Sequence, residues 1–235
     1  MSMLSATLVL DVRLQARSRL YAIGIVVALM LGFLSRYLVG PDYAGKAAPV
    51  LYLAGLGGTT YVFGAAMVLL EKSQGTLLAL RTTPLTSNAY LASKVITLAS
   101  FAAFEAAIIQ TVGFFGTTFN PLPLTLGIVC LGVFYTLVGV GQVAPHDSVF
   151  SFLIPGALVV GSVLQLPMLY VLKVGPPAVW YLFPTQGPLL LMLGAFERLD
   201  GWQWAYAIGM SVASIGLAGW WAKRRFTRFV ALQEG

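Results

Sequence analysis

An all-α protein that crosses a membrane several times is the fold class this sequence predicts, and three observations carry the expectation. Hydrophobic residues make up 58% of the 235-residue chain and charged residues 9%, against about 25% charged in a soluble domain. No water-soluble fold of this length hides that much apolar side chain, so part of it must face lipid. The apolar residues fall into runs long enough to cross roughly 30 Å of hydrocarbon as helices. The net charge of +6 is distributed unevenly between the connectors, which bears on topology and does not point to nucleic acid.

Residues 1–19 set Leu4, Leu8, Val12 and Ala16 at every fourth position among Asp11, Arg13, Gln15, Arg17 and Arg19, the pattern of an amphipathic helix in the membrane interface. The alternation Leu10–Gln15 also fits a strand. No small-residue cleavage site follows the first apolar run, so that run is read as a span and not as a signal peptide. The expected spans are 20–38, 49–70, 89–115, 122–143, 149–172 and 202–222. Thr86, Ser87 and Asn88 offer a cap for the third. Pro155 and Pro167 should kink the fifth.

Residues 176–196 are apolar, but Pro176, Pro177, Pro184 and Pro188 interrupt them, leaving a length that suits a re-entrant or interfacial segment. Topology supports six spans. Arg13, Arg17, Arg19, Lys72, Arg81, Lys94, Lys223, Arg224, Arg225 and Arg228 then share one side, with Arg36, Lys46, Lys173 and Arg198 opposite. The positive-inside rule places both termini in the cytoplasm. Trp180, Tyr181, Trp202 and Trp204 would sit at the outer headgroup level.

The polar island Glu71–Thr86 lies between two long apolar runs. A short helix over 73–83 can start near Ser73 or Thr76 and must stop before Pro84. Leu77 and Leu80 share one face of it, with Arg81 at the margin. Apolar residues at helical spacing just outside a membrane suit a plug for a groove on another protein; a fold-back onto the chain's own bundle is the alternative. Glu105 is the one ionisable residue deep inside a span, and an intramembrane acid is a functional candidate by default. It could bind a cation, carry a proton or bond across helices, Thr97 being on nearly the same face. Thr59, Thr60, Phe63, Phe152 and Gln165 are candidate pathway residues, with close helix packing as the competing role.

A single cysteine, Cys130, excludes an intrachain disulfide, and a single His146 builds no metal site. No G-x-x-x-x-G-K-[ST] loop, G-x-S-x-G or H-E-x-x-H motif occurs. If the chain does work, its energy comes from elsewhere.

Glu71-Lys72, Gly75-Thr76, Leu77-Leu78-Ala79-Leu80, Thr83-Pro84-Leu85 and Lys94 resemble the first cytoplasmic loop of ABC-2-type transporter membrane subunits. Asp11 to Arg17 before the first span, Tyr181, Pro184 and Gly187 to Leu190 before the last, and Arg225-Phe226 with Arg228-Phe229 at the end extend the likeness over nearly the whole chain. Together they are similar to the small six-span fluoroquinolone-export permease subunits. The resemblance implies an ABCG-like type V exporter fold, with two permease chains, identical or paralogous, facing each other in a prokaryotic cytoplasmic membrane. The second and fifth spans would line a cavity. A separate ATPase would hold ATP and Mg, this chain binding no cofactor or metal. Residues 1–19 would be the connecting helix, 73–83 the coupling helix and 176–196 the external gate. Glu71, Gly75, Thr76, Leu77, Leu80, Arg81, Pro84 and Lys94 would belong to the coupling site. Two other readings stay open: a secondary transporter carrying protons on Glu105, and a membrane anchor for an ATPase without transport of its own.

Overall fold

The computed structural model describes residues 3–79 and 86–231. Among these every regular element is helical, and six helices are long and apolar enough to cross a membrane. α1 (Met3–Arg17) is followed by α2 (Leu20–Leu38), α3 (Ala44–Ser73), the single turn α4 (Thr76–Ala79) and α5 (Ser87–Gly113). Then come α6 (Pro121–Val143), α7 (Val149–Val171), α8 (Pro177–Trp180), α9 (Gln186–Leu193) and α10 (Gly201–Phe226). The stretch Leu10–Gln15 is helical, so the strand alternative fails there.

Capping follows the sequence closely. Thr86 accepts from the Ala89 amide to open α5, Asn120 accepts from Leu122 to open α6, and Ser148 accepts from Ser151 to open α7. Asp200 and Gln203 form a capping box at α10. α10 runs through the basic cluster Lys223–Arg225 instead of stopping at Ala222; long basic side chains extend into water from a helix without interrupting it.

α6 is the centre of the bundle, packed against α3, α5, α9 and α10. Gly139 is one reason it fits: a Cβ there would lie 2.4 Å from the Tyr61 carbonyl oxygen, so α3 and α6 touch backbone to backbone. α9 is buried along its whole length although too short to span, wedged between α6 and α10.

α3 and α7 are both irregular. In α3 a wide π turn occupies Tyr52–Leu56, three residues after Pro49. In α7 a second π turn occupies Val160–Leu164, and the chain bends at Gln165 before the last turn, Met168–Val171. The break at Pro167 is where the sequence put it, whereas Pro155 is accommodated inside helix. Such turns release carbonyls from the helical ladder, and another group must satisfy them.

Candidate functional site

One end of the bundle, the basal end, collects α1, the base of α3, the start of α5, the α6–α7 turn and the end of α10. Lys94 lies there fully buried, 0% exposed, and pairs with two carboxylates: Asp11 of α1, and Glu71 at 2.5 Å. Ser93 donates to Asp11 at 2.5 Å, and the Tyr90 hydroxyl donates to Glu71. Each buried charge is thus paired and hydrogen-bonded, which the low-dielectric interior demands. Asp11 reaches this lock because α1 turns its polar face inward. Gln15, one turn on, donates to Thr97 at 2.8 Å, while Val9, Leu10 and Val12 are exposed. Tyr90 also stacks on Phe226 with ring centroids 4.4 Å apart, which ties the end of α10 to the same place.

The island grows directly from this lock. Ser73 is the last residue of α3, and Gly75 turns the chain with φ of 69°, a left-handed conformation that glycine adopts without strain. The Thr76 hydroxyl donates back to the Glu71 carbonyl at 3.0 Å. Leu77 is buried. Leu80, Arg81 and Pro84, with the remainder of the 73–83 helix beyond Ala79, lie outside the described residues. Lys72 donates to the carbonyls of Ala144 and His146, at 2.7 and 2.9 Å, a cation at the C-terminal end of α6 where the helix dipole favours one.

The pathway candidates divide. Glu105 is 1% exposed, and its Oε2 accepts from Thr59 on α3 at 3.1 Å. Thr97 is not its partner: eight residues along one helix is about 12 Å of rise, and Thr97 is already engaged by Gln15. Gly24 makes room for the acid, since a Cβ there would lie 2.3 Å from Oε1. Thr60 is buried and donates to the Leu56 carbonyl one turn back on the same helix. Phe63 packs among Leu20, Met67, Leu98 and Phe101, away from α7. Phe152 stacks on Tyr61 at 5.6 Å, joining α7 to α3. Gln165 donates to the Ala54 carbonyl at 3.3 Å, joining one π turn to the other.

Sequence reasoning missed Asp11, Ser93 and Tyr90 as parts of one buried cluster. A usable signal existed: Thr7, Asp11 and Gln15 recur every four residues, a polar stripe that needs polar partners once buried. The other end of the molecule is aromatic. Tyr181 packs against Tyr170, Trp202 and Tyr206, and the Tyr206 hydroxyl donates to the Tyr181 carbonyl at 2.6 Å. No group of three or more metal-ligating side chains occurs among the described residues.

Six helices long and apolar enough to cross a membrane, with a buried polar lock at one end, define the class: a multi-pass α-helical membrane protein. Relatives are named as permeases. The chain is 31% identical over 191 residues, 80% of each chain, to the fluoroquinolones export permease proteins of two strains of Mycobacterium tuberculosis, CDC 1551 and H37Rv. The model of the fluoroquinolones export permease protein family matches residues 2–234, and the chain belongs to that family.

Proposed function

We propose that this chain is the membrane subunit of an ATP-driven exporter, moving amphipathic small molecules such as the fluoroquinolones named for its relatives. It works with a separate ATPase carrying ATP and Mg, and with a second permease chain. The basal lock is the observation that carries the reading. Lys94 binds α1, α3 and α5 through two carboxylates at the root of the 73–83 segment. A push by the ATPase on Leu80 and Arg81, passed on through the buried Leu77, is then felt by three helices at once. Gly75 and Pro84 bound the moving piece, and Thr76 fastens it to α3. A two-state movement driven from one end is a recognised way for binding energy to be spent at a distance.

α7 leaves most of its length uncovered, which supports a second permease chain facing α3 and α7. The cavity between them would hold cargo near Thr59, Gln165 and Phe152. With the 1–19 and 73–83 segments toward the ATPase, both termini lie in the cytoplasm of a prokaryotic cell and residues 176–196 close the outer side.

Reconstitution with the candidate ATPase in vesicles tests this. Drug-stimulated hydrolysis and ATP-dependent export are expected, and Leu80→Asp should abolish both while the variant still inserts. Coupled hydrolysis at the normal rate in that variant overturns the coupling role. Export that collapses with the proton gradient and ignores ATP would instead favour a proton carrier at Glu105.

A further inference from the structure

α1 is an amphipathic helix mounted the unusual way round, and this leaves a groove. Its polar stripe is consumed by the basal lock, so Val9 and Val12 turn outward at 41% and 44% exposure. Between them and the flank of α5 runs an open groove of about 610 Å³, walled by Val9, Val12, Ile96 and Phe101. The polar residues on its lining include Arg13, Tyr21 and Ser100. Among the described residues Arg13 has no acidic partner, the ion pairs there using Lys46, Lys72 and Lys94. Arg17, one turn along α1, is likewise exposed.

We infer that this groove is a binding site for one acidic phospholipid of the leaflet at the basal end. An apolar trough beside an interfacial helix takes an acyl chain, as the exposed face of such a helix does generally. A lone guanidinium at its margin selects an anionic phosphate over a zwitterionic headgroup, because a neighbouring choline ammonium would repel it. Tyr21 and Ser100 supply hydroxyls for the ester region between. The lipid would be clamped between α1 and α5, the two elements joined by Asp11 and Lys94, so its occupancy stabilises the lock from the lipid side. The inference does not depend on the ATPase or on the cargo.

The test uses the full chain, purified in detergent and stripped of lipid, with phosphatidylglycerol, phosphatidylcholine and glycerol 3-phosphate as probes. Native mass spectrometry should retain one phosphatidylglycerol per chain in preference to phosphatidylcholine, and that lipid alone should raise the thermal midpoint. Arg13→Gln should weaken phosphatidylglycerol about fivefold, Arg13→Lys should keep most of it, and Arg198→Gln should change nothing. Val12→Trp, which fills the trough without touching the charge, should also displace the lipid. Equal retention of both lipids overturns the site, as does undiminished selectivity in either Arg13→Gln or Val12→Trp. Equal stabilisation by glycerol 3-phosphate overturns it too, showing a free-anion site without the acyl groove.

Discussion

α6 and α7 are both 23 residues long, with peak hydropathies of 2.1 and 2.0, yet 72% of the most apolar stretch of α6 is buried against 17% of that of α7. Hydropathy therefore says that each prefers to leave water and says nothing of what replaces the water. α6 exchanges it for protein. Its glycines let neighbouring backbones approach within van der Waals distance, which is how helices attract one another when lipid is as apolar as their side chains. α7 is held by a few polar stitches, the strongest set at the carbonyl left free where its own helix bends. Gln142 donates to the Pro155 carbonyl at 2.8 Å. Tyr135 and Thr185 both donate to the Leu164 carbonyl, at 3.1 and 2.7 Å. That carbonyl is free because the Met168 amide bonds to Gln165 instead. A helix fastened at its breaks and bare elsewhere is suited to move or to meet another chain; a helix packed along its length is suited to stay.

The contrast can be broken at several strengths, read as thermal stability in detergent. Lys94→Met attacks the well-covered side hardest. It leaves Asp11 and Glu71 as buried carboxylates without a cation, at an expected loss of about 3–5 kcal/mol, with α1 becoming accessible to protease. Gly139→Val comes next, at about 3 kcal/mol, because the obstacle is the Tyr61 backbone and not a side chain that can swing away. Removing both donors to Leu164 by Tyr135→Phe with Thr185→Val should cost about 1–3 kcal/mol, the usual penalty for an orphaned buried carbonyl, while either change alone costs under about 1 kcal/mol since the other donor remains. Gln165→Leu should cost about 1 kcal/mol and loosen the distal part of α7, detectable as faster cysteine labelling there. Gly161→Leu should be the mildest for the isolated chain, within about 0.5 kcal/mol, because a Cβ at Gly161 meets nothing within 4 Å. The same change should reduce self-association measured by cross-linking. A large loss of monomer stability at Gly161, or none at Gly139, would reverse the reading of which helix carries the fold.

Legibility in the sequence follows the range of the interaction. The cap at Thr86 and the break at Pro167 were readable because each depends on residues within a turn or two. The inward face of α1 was not. Leu4, Leu8, Val12 and Ala16 give as regular a period as Thr7, Asp11 and Gln15, and periodicity does not say which stripe faces protein when the other can face lipid. Asp11 finds Lys94 across 83 residues, a separation that no local pattern encodes. Glu105 was recognisable as an anomaly on its own helix, but its partner Thr59 sits on α3, 46 residues earlier. The polar island was visible as an interruption, and its attachment through Glu71 to Tyr90 and Lys94 was visible only once α3 and α5 stood side by side.

By itself the sequence determined that this protein lives in a membrane as a set of helices, because transfer from water to hydrocarbon is a property of each side chain added along a run. Tertiary structure alone decided which faces meet protein, which meet lipid, and where the buried charges find one another. Those outcomes depend on shape and on pairing between distant residues, and lipid offers an apolar face nearly the same welcome as a neighbouring helix.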